Sequence, residues 1–278
     1  MSPLALGELV GSLTCPTKFN GILTSIVPLW SAASIRSRLP GKVEVTVEYS
    51  IDGMYRPRPD VNAGRYFRKR MPADEALSRI VFNREFGCYV YASEVDLDEH
   101  SPYFAGLVPE LRDSQRRLPT RRLLFIGGSG TGTHTHYDLP DNLMLILAGR
   151  KSIAFFSPEV SKWLRPFASP LWCCNVSSLK DSEVMALLPL LDSKFAFEID
   201  VEEGDAVYVP SGWWHRVKNH EFSAGVSNFW MPSLRRRVNW HSIRVRIARS
   251  RIGKTIGEAI LRKKLFVPVW DRQPNNSD

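Results

Sequence analysis

Short apolar runs separated by turn residues dominate the middle of the chain and predict β-strands. Apolar and polar residues alternate over residues 43–49, as expected for a strand with one buried face. Residues 142–148 and 151–156 are almost continuously apolar, and we expect them to form the two strands of a hairpin that turns at Gly149-Arg150. Residues 201–210 hold a Gly-Asp turn, an apolar run and a closing proline, which predicts one further strand.

Helical patterns flank these strands. A helix is expected to begin near residues 72–75, and a helical insert is expected near residues 180–191. The chain therefore divides into three regions: residues 1–85 with α/β elements that pack on a barrel, residues 86–232 with the barrel strands and the candidate site, and residues 233–278, which are helical and basic. The predicted fold class is mainly β with appended helices.

Composition adds limits on environment. The 278 residues are 44% apolar, enough for a substantial core, yet the chain has no apolar run of the length that spans a bilayer. The N-terminus lacks the charged start of a signal peptide. The cysteines form no CxxC pair, and we expect reduced thiols and an intracellular location, cytoplasmic or nuclear. These cysteines are Cys15, Cys88, Cys173 and Cys174.

Positive charge is concentrated near the C-terminus. Residues 233–266 hold eleven lysines and arginines against one acid, Glu258, so the segment carries +10 while the whole chain carries +8. Isoleucines recur there at three- and four-residue spacing, which is typical of amphipathic helix. Such a basic helical face suits a polyanion such as tRNA. The candidate nucleic-acid-binding residues are Arg235, Arg236, Arg237, Arg244, Arg246, Arg249, Arg251 and Lys254.

Other roles for this basic segment stay open. The helices could be merely solvated, could pack on a second subunit to form a homodimer, or could lie on an anionic membrane surface. The last role is less favoured because the apolar face is narrow and is interrupted by glycines.

His136-x-Asp138 followed by a distant His215 is the inventory of a 2-His-1-carboxylate site, the ligand set of non-heme Fe(II) oxygenases. On a strand, residues i and i+2 share a face, so one strand can offer His136 and Asp138 to one ion. The third ligand must come from a neighbouring strand, for which residues 201–210 are the candidate. A hydrogen-bonded His-Asp pair is the ordinary alternative, and His134, on the same predicted face, could compete as a ligand.

A glycine-rich stretch, residues 127–132, precedes this motif. It lacks the Lys-Ser/Thr ending of a phosphate-binding P-loop. We interpret it either as a turn that leaves room for a cosubstrate or as a plain surface turn.

Five ordered blocks resemble the JmjC (cupin-like) Fe(II)/2-oxoglutarate oxygenases. They are residues 133–142 (THTHYDLPDN), 147–151 (LAGRK), 155–158 (FFSP), 204–215 (GDAVYVPSGWWH) and 226–230 (VSNFW). The resemblance implies a double-stranded β-helix, the jelly-roll barrel of that family. It also implies an enzyme that uses Fe(II), 2-oxoglutarate as cosubstrate and O2.

Position by position, the resemblance implies that His136, Asp138 and His215 are the catalytic iron ligands. Lys151 is implied to pair with the distal carboxylate of 2-oxoglutarate. The other implied cosubstrate residues are Thr133, Asn142, Asn228 and Tyr89, with Tyr91 as the alternative to Tyr89. Three tryptophans are expected to wall the cavity, although core packing explains them equally: Trp213, Trp214 and Trp230.

Within this group the pattern is most similar to the wybutosine-type tRNA hydroxylases, which implies a modified tRNA base as substrate. The protein side-chain (peptidyl) hydroxylases of the group share nearly all the core motifs and provide the alternative. A catalytically silent, nucleic-acid-binding barrel is less favoured, because a degenerate site would usually have lost one of the ligands or Lys151.

Overall fold

Fourteen strands and three α-helices form in the part of the chain that the computed structural model describes. That part comprises residues 13–23, 25, 30–38, 43–55, 66–82, 84–85, 87–100, 107–108, 111, 119–166 and 175–231.

Among the described residues, the first half of the chain holds two helices and eight strands, and the second half holds the other six strands and one helix. In chain order they are β1 (Thr17–Phe19), α1 (Ala32–Arg38), β2 (Glu44–Ser50), β3 (Met54–Tyr55), β4 (Tyr66–Pro72), α2 (Ala73–Phe82), β5 (Arg84–Glu85), β6 (Cys88–Asp96), β7 (Arg121–Gly127), β8 (Gly132–Tyr137), β9 (Asp141–Ala148), β10 (Lys151–Phe156), α3 (Asp181–Leu187), β11 (Ala196–Val201), β12 (Ala206–Val209), β13 (Trp214–Asn219) and β14 (Ser223–Trp230).

Two sheets face each other. The large sheet has the order β1-β12-β9-β14-β7-β6-β2-β4, with β5 paired to β6, and the small sheet has the order β11-β10-β13-β8-β3. From β7 to β10 the chain passes from one sheet to the other at every strand, and it does so again from β11 to β14. This is the mainly β, antiparallel jelly-roll arrangement predicted from the sequence. Strands on both sides of residue 85 belong to the large sheet.

Apolar side chains fill three layers. Between the sheets lie Met144, Ile153 and Phe155 with six other buried residues. The outer face of the large sheet is covered by α1 and α2, and that of the small sheet by the insert that contains α3. Strands β9 and β10 are therefore buried on both faces, which explains why their sequences are apolar without alternation.

Both predicted helices are confirmed. α2 begins at Ala73, carries Asp74 and Glu75 in its first turn where the helix dipole favours acids, and buries Ala73, Ala76, Leu77 and Ile80. α3 continues into a short 3-10 turn that ends at Leu190, so the insert lies where it was expected. Among the described helices, none has both the length and the apolar character needed to cross a bilayer.

The predicted hairpin of residues 142–148 and 151–156 is wrong in its pairing. The strand bounds are close to those expected, but β9 pairs with β12 and β14 while β10 pairs with β11 and β13. Gly149, with φ +69°, turns the chain out of one sheet and into the other. Two adjacent apolar strands can form a hairpin or connect facing sheets, and local sequence does not distinguish these arrangements.

The strand expected to sit beside the His136 strand is also different. Residues 206–209 form β12, which lies in the large sheet between β1 and β9. The chain then turns at residues 211–212, and His215 lies on the next strand, β13, which pairs with β8 in the small sheet.

Asp205 fastens the N-terminal strand to the barrel. Its carboxylate is almost fully buried, accepts hydrogen bonds from the backbone N–H groups of Gly21 (2.9 Å) and Glu202 (3.0 Å), and pairs with Lys18 at 2.9 Å. Burial alone would raise the pKa of this carboxyl, but the N–H donors and the ammonium outweigh burial and hold the pKa below its ordinary value of 3.8.

We expect Asp205→Asn to lower the free energy of unfolding at pH 7 by about 1–3 kcal/mol, because buried N–H donors lose a charged acceptor. The folded-state pKa is depressed, so this contribution is complete above the ordinary aspartate pKa and is lost as the pH falls through the folded value. Denaturant unfolding across a pH series measures it. Asp200→Asn, at a side chain that is 74% exposed, is the control and should change stability little; equal effects of the two variants would contradict this account.

Candidate metal centre and its cavity

His136, Asp138 and His215 converge on one point between the sheets. His136 and His215 lie directly opposite each other on β8 and β13, and Asp138 follows the end of β8. The Asp138 Oδ2 atom is 3.9 Å from His136 Nε2 and 3.7 Å from His215 Nε2, and one donor atom from each residue lies within 4.8 Å of the others. Ligands about 2.1 Å from one ion would lie about 3–4 Å apart, so small side-chain adjustments suffice for coordination.

Backbone carbonyls orient both imidazoles. His136 Nδ1 lies 2.8 Å from the carbonyl oxygen of His134, and His215 Nδ1 lies 3.2 Å from that of Trp213. Because a carbonyl can only accept, Nδ1 carries the proton and the Nε2 lone pair is directed toward Asp138. This is the usual arrangement of metal-binding histidines. Burial, and then the neighbouring His136, lower the pKa of His215 to about 4, so its ring is neutral at physiological pH.

A β-bulge removes His134 from the site. His215 pairs with His136 and Val217 with Thr133, so β8 has one residue more than β13 in this interval. The extra residue breaks the alternation of faces, and Thr133 and His136 both line the cavity. His134 instead contacts the carbonyl oxygen of Ser177 through Nε2 at 3.3 Å. The expectation that His134 shares the face of His136 is therefore wrong.

The three donors open into a cavity of about 430 Å³ between the sheets. One part of its wall is formed by polar side chains of β8, β9, β10 and β13. Another part is formed by polar side chains of β3, β4 and β6. The residues that matter most are His136, Asp138, His215, Thr133, Asn142, Lys151, Asn175, Tyr91, Tyr55, Arg68 and Glu94.

Lys151 is buried in this cavity wall, only 3% exposed, and does not face solvent. Its ammonium donates to the amide oxygen of Asn219 at 2.9 Å, the only hydrogen-bond partner that the described residues provide for it. Burial lowers the pKa of Lys151 to about 7. Gly225 borders the lysine, since a Cβ there would lie 3.8 Å from Nζ. The ammonium thus has space beside it and no anionic partner among the described residues.

Thr133 and Asn142 lie in the cavity wall, as their predicted roles require. The Tyr91 hydroxyl hydrogen bonds to the Thr133 side chain, and burial raises the pKa of Tyr91 above its ordinary value, so the hydroxyl stays protonated. Asn142 donates to the Ser227 hydroxyl at 3.3 Å, while its buried amide oxygen has no hydrogen-bond partner within the described part of the chain.

Two predicted cosubstrate residues do not line the cavity. Tyr89 packs against Gly130 near the start of β6, whereas Tyr91, the alternative, lines the cavity. Asn228 donates to the carbonyl of Leu143 at 3.1 Å and points away from the cavity. Successive residues of a strand point to opposite faces, and on β14 it is Ser227 and Phe229 that line the cavity.

The expected tryptophan wall is also wrong. Trp213 belongs to the core between the sheets, Trp214 to the layer outside the small sheet, and Trp230 to the layer outside the large sheet. None of the three lines the cavity, so core packing accounts for them.

The polar cavity residues that were missed from the sequence include Tyr55, Arg68, Asn175 and Glu94. The last two show the reason. Asn175 is 3% exposed and donates to the carbonyl of Tyr137 at 2.7 Å, while its side-chain oxygen has no hydrogen-bond partner among the residues described. Glu94 has φ +54° and lies in a β-bulge of β6 between Ala92 and Val95. The bulge turns Glu94 toward Tyr55, whose hydroxyl donates to it at 3.4 Å. No local motif marks either position.

The basic residues proposed to bind nucleic acid lie outside the described residues, as does the proposed subunit contact. These are Arg235, Arg236, Arg237, Arg244, Arg246, Arg249, Arg251 and Lys254.

Comparisons with known proteins agree with this geometry. The model of the cupin-like domain family matches residues 15–236. tRNA wybutosine-synthesizing protein 5 of Homo sapiens is 33% identical over 110 residues, 39% of this chain and 34% of that protein. The Danio rerio protein of the same name is 30% identical over 212 residues, 69% of this chain and 62% of that protein. Lysine-specific demethylase JMJ31 of Arabidopsis thaliana is 34% identical over 102 residues, 36% of this chain and 18% of that protein. The chain thus spans about a third of the human relative.

We expect Fe(II) or Mn(II), added anaerobically, to raise the melting temperature through the three converging donors. Metal at a hundred times its dissociation constant adds about 2.7 kcal/mol to the free energy of unfolding. The rise should disappear in His136→Ala and in His215→Ala. His134→Ala is the matched control, because its ring lies on the same strand but outside the site. An equal rise in all three variants would refute the assignment.

Proposed function

The chain belongs to the cupin-like (JmjC-type) family, and from the chemistry of its cavity we propose that it is an Fe(II)- and 2-oxoglutarate-dependent hydroxylase. The observation that carries this proposal is Lys151, a buried ammonium whose partner among the described residues is neutral, in the same cavity as a His-Asp-His cluster. A buried charge without a counterion is costly, and such a residue is explained by an anionic ligand.

The residues of the cavity fit both Fe(II) and 2-oxoglutarate. Two imidazoles and one aspartate side chain match the ligand set that Fe(II) oxygenases use. Lys151 fits the distal carboxylate of 2-oxoglutarate, and the hydroxyls of Thr133 and Tyr91 lie in the same cavity wall. The amide of Asn142 adds a further polar contact. The cosubstrate set proposed for this protein is thus Lys151, Thr133, Asn142 and Tyr91.

When bound, iron with 2-oxoglutarate and O2 would supply an oxidant that hydroxylates a C–H bond while the cosubstrate becomes succinate and carbon dioxide. The protein's own residues orient the metal-binding side chains and the cosubstrate, and they exclude water from the cavity. The carbonyls of His134 and Trp213 keep both imidazoles turned toward Asp138. Lys151 would hold the distal carboxylate of the cosubstrate in the same cavity as the three metal-binding side chains. Apolar side chains in the wall, such as Val217 and Met144, keep bulk water from the reacting atoms.

The substrate would enter from the side that holds Tyr55, Arg68 and Glu94, since the cosubstrate residues occupy the wall around Lys151. Glu94 on that side, and Asn175 elsewhere in the cavity wall, offer hydrogen-bond acceptors to a substrate. We propose a modified tRNA base of the wybutosine type as that substrate. Relatives that carry a tRNA wybutosine-synthesizing name and the basic segment at residues 233–278 support this choice.

A protein side chain is the second candidate, and the relative named as a lysine-specific demethylase favours it. A catalytically silent barrel is less favoured, since the three donors and the buried lysine are all in place.

We expect the full-length protein with Fe(II), 2-oxoglutarate and O2 to form succinate, and His136→Ala to form none above background, because the metal loses a ligand. Succinate is measured chromatographically. His134→Ala is the matched control and should retain turnover. Equal succinate from wild type and His136→Ala would remove the oxygenase proposal.

We expect Lys151→Met to weaken 2-oxoglutarate binding by two to three decades, because losing one partner of a buried ion pair costs about 3–5 kcal/mol. Calorimetry with Mn(II)-loaded protein measures the affinity. Arg150→Met is the control, since Arg150 is exposed beside Lys151. An unchanged affinity in Lys151→Met would show that the lysine does not contact the cosubstrate.

We expect tRNA binding to weaken steeply with salt, because basic side chains displace counterions from phosphates. The slope of the logarithm of the tRNA association constant against the logarithm of salt concentration is negative. Glutamine at the eight proposed basic positions should make it less steep by about one for each phosphate that is no longer neutralised. Glutamine at the exposed Lys162, Lys180 and Lys194 is the control. Binding that is absent or independent of salt would favour a protein substrate.

A further inference from the structure

Asn219, at the end of β13, is held by four hydrogen bonds around the glycine-rich turn. Its backbone N–H donates to the carbonyl of Thr131 (2.7 Å), and its own carbonyl accepts from Gly130 (2.8 Å). Its side-chain amide donates to the Thr131 hydroxyl (2.9 Å), and its side-chain oxygen accepts from Lys151 (2.9 Å). The Thr131 hydroxyl in turn donates to the carbonyl of Gly128 at 2.7 Å. The amide therefore has a fixed orientation.

The turn needs glycine at residues 127 and 132 to make this contact. A Cβ at Gly127 would lie 2.3 Å from the Thr131 hydroxyl, 2.6 Å from the Asn219 amide nitrogen and 2.6 Å from the Tyr91 ring. A Cβ at Gly132 would lie 2.0 Å from the carbonyl oxygen of Val217 on β13. The glycines thus let the turn approach Asn219 closely, which neither a phosphate-binding loop nor a plain surface turn requires.

We propose that Asn219, braced by Thr131 and the glycine-rich turn, is a positioning residue for Lys151 that holds the ammonium toward the cavity without neutralising its charge. The inference rests on the proposed function, because it assigns the retained charge to the second carboxylate of the cosubstrate. Asn219 itself is absent from the cavity wall and acts through the lysine.

The chemical identity of the partner is what matters. An amide oxygen accepts a hydrogen bond and restricts the lysine side chain, which otherwise loses much rotamer freedom on binding a ligand. An aspartate at the same position would form an ion pair and leave little attraction for a further carboxylate. Asparagine orients the ammonium without forming an ion pair with it. It differs from aspartate in one group, which allows a sharp test.

The test compares two ligands in Asn219→Asp and wild type, both full-length and loaded with Mn(II). One ligand is 2-oxoglutarate, and the other is 2-oxopentanoate, which has a methyl group where 2-oxoglutarate has its second carboxylate. Calorimetry should show 2-oxoglutarate binding weakened by about 30-fold or more in the variant, with 2-oxopentanoate binding changed by less than about threefold, because removing an ionic attraction affects only the dicarboxylate.

Two variants separate positioning from general damage. Asn228→Asp makes the same change at another buried asparagine that points away from the cavity, and it should leave the ratio of the two affinities unchanged. Thr131→Val removes the hydroxyl that braces Asn219, and it should weaken 2-oxoglutarate binding by about threefold to tenfold without affecting 2-oxopentanoate. If Asn219→Asp does not fold, Thr131→Val tests the proposed role of Asn219 instead.

Equal losses for both ligands, or no loss for either, would overturn the inference. If wild type binds neither compound, the proposed function fails, and unfolding experiments then decide the Asn219–Lys151 contact. In that case Asn219→Asp must lower the free energy of unfolding by more in the Lys151→Met variant than in wild type. The reason is that in the Lys151→Met variant the new aspartate has no ammonium beside it. Equal destabilisation would refute the contact as well.

Discussion

The pairing of β8 with β13 is the constraint on which the candidate site depends. This antiparallel contact sets His215 directly opposite His136, and the end of β8 places Asp138 within 4 Å of both imidazoles. A shift of one residue would turn His215 out of the cavity, because alternate residues of a strand face opposite sides. The layer outside the small sheet supports that register, since Trp214 and Tyr137 pack edge to face beneath the site.

The small sheet also carries the electrostatic asymmetry of the cavity. Asp138 supplies a carboxylate near the middle of the small sheet, and Lys151 supplies an ammonium at the start of β10, held by Asn219 at the end of β13. A buried lysine whose pKa is lowered to about 7 weakens the fold near neutral pH, so its presence has to be explained by something other than stability. The glycine-rich turn hydrogen bonds to Asn219, the residue that accepts from the same lysine.

β-Bulges account for the departures from a regular strand pattern. One bulge in β8 brings Thr133 and His136 to the same wall and turns His134 away. Another in β6 turns Glu94 toward Tyr55, with a backbone conformation that residues other than glycine rarely adopt. Both lie beside the cavity, where an extra residue changes the direction of a side chain without disturbing the rest of the sheet.

The sequence by itself determined the mainly β fold, both helices near their observed starts, the strand bounds around residues 142–156, and the candidate metal-ligand set of His136, Asp138 and His215, whose side chains the structure brings together. These features follow from local periodicity and from an unusual combination of side chains. Only the tertiary structure decided that β9 and β10 lie in different sheets, that Tyr91 rather than Tyr89 lines the cavity, that Asn228 faces away from it, and that Asn175 and Glu94 join it. The reason is physical: which face a residue presents depends on strand pairing and on single inserted residues, and both are set by contacts between segments distant in the chain.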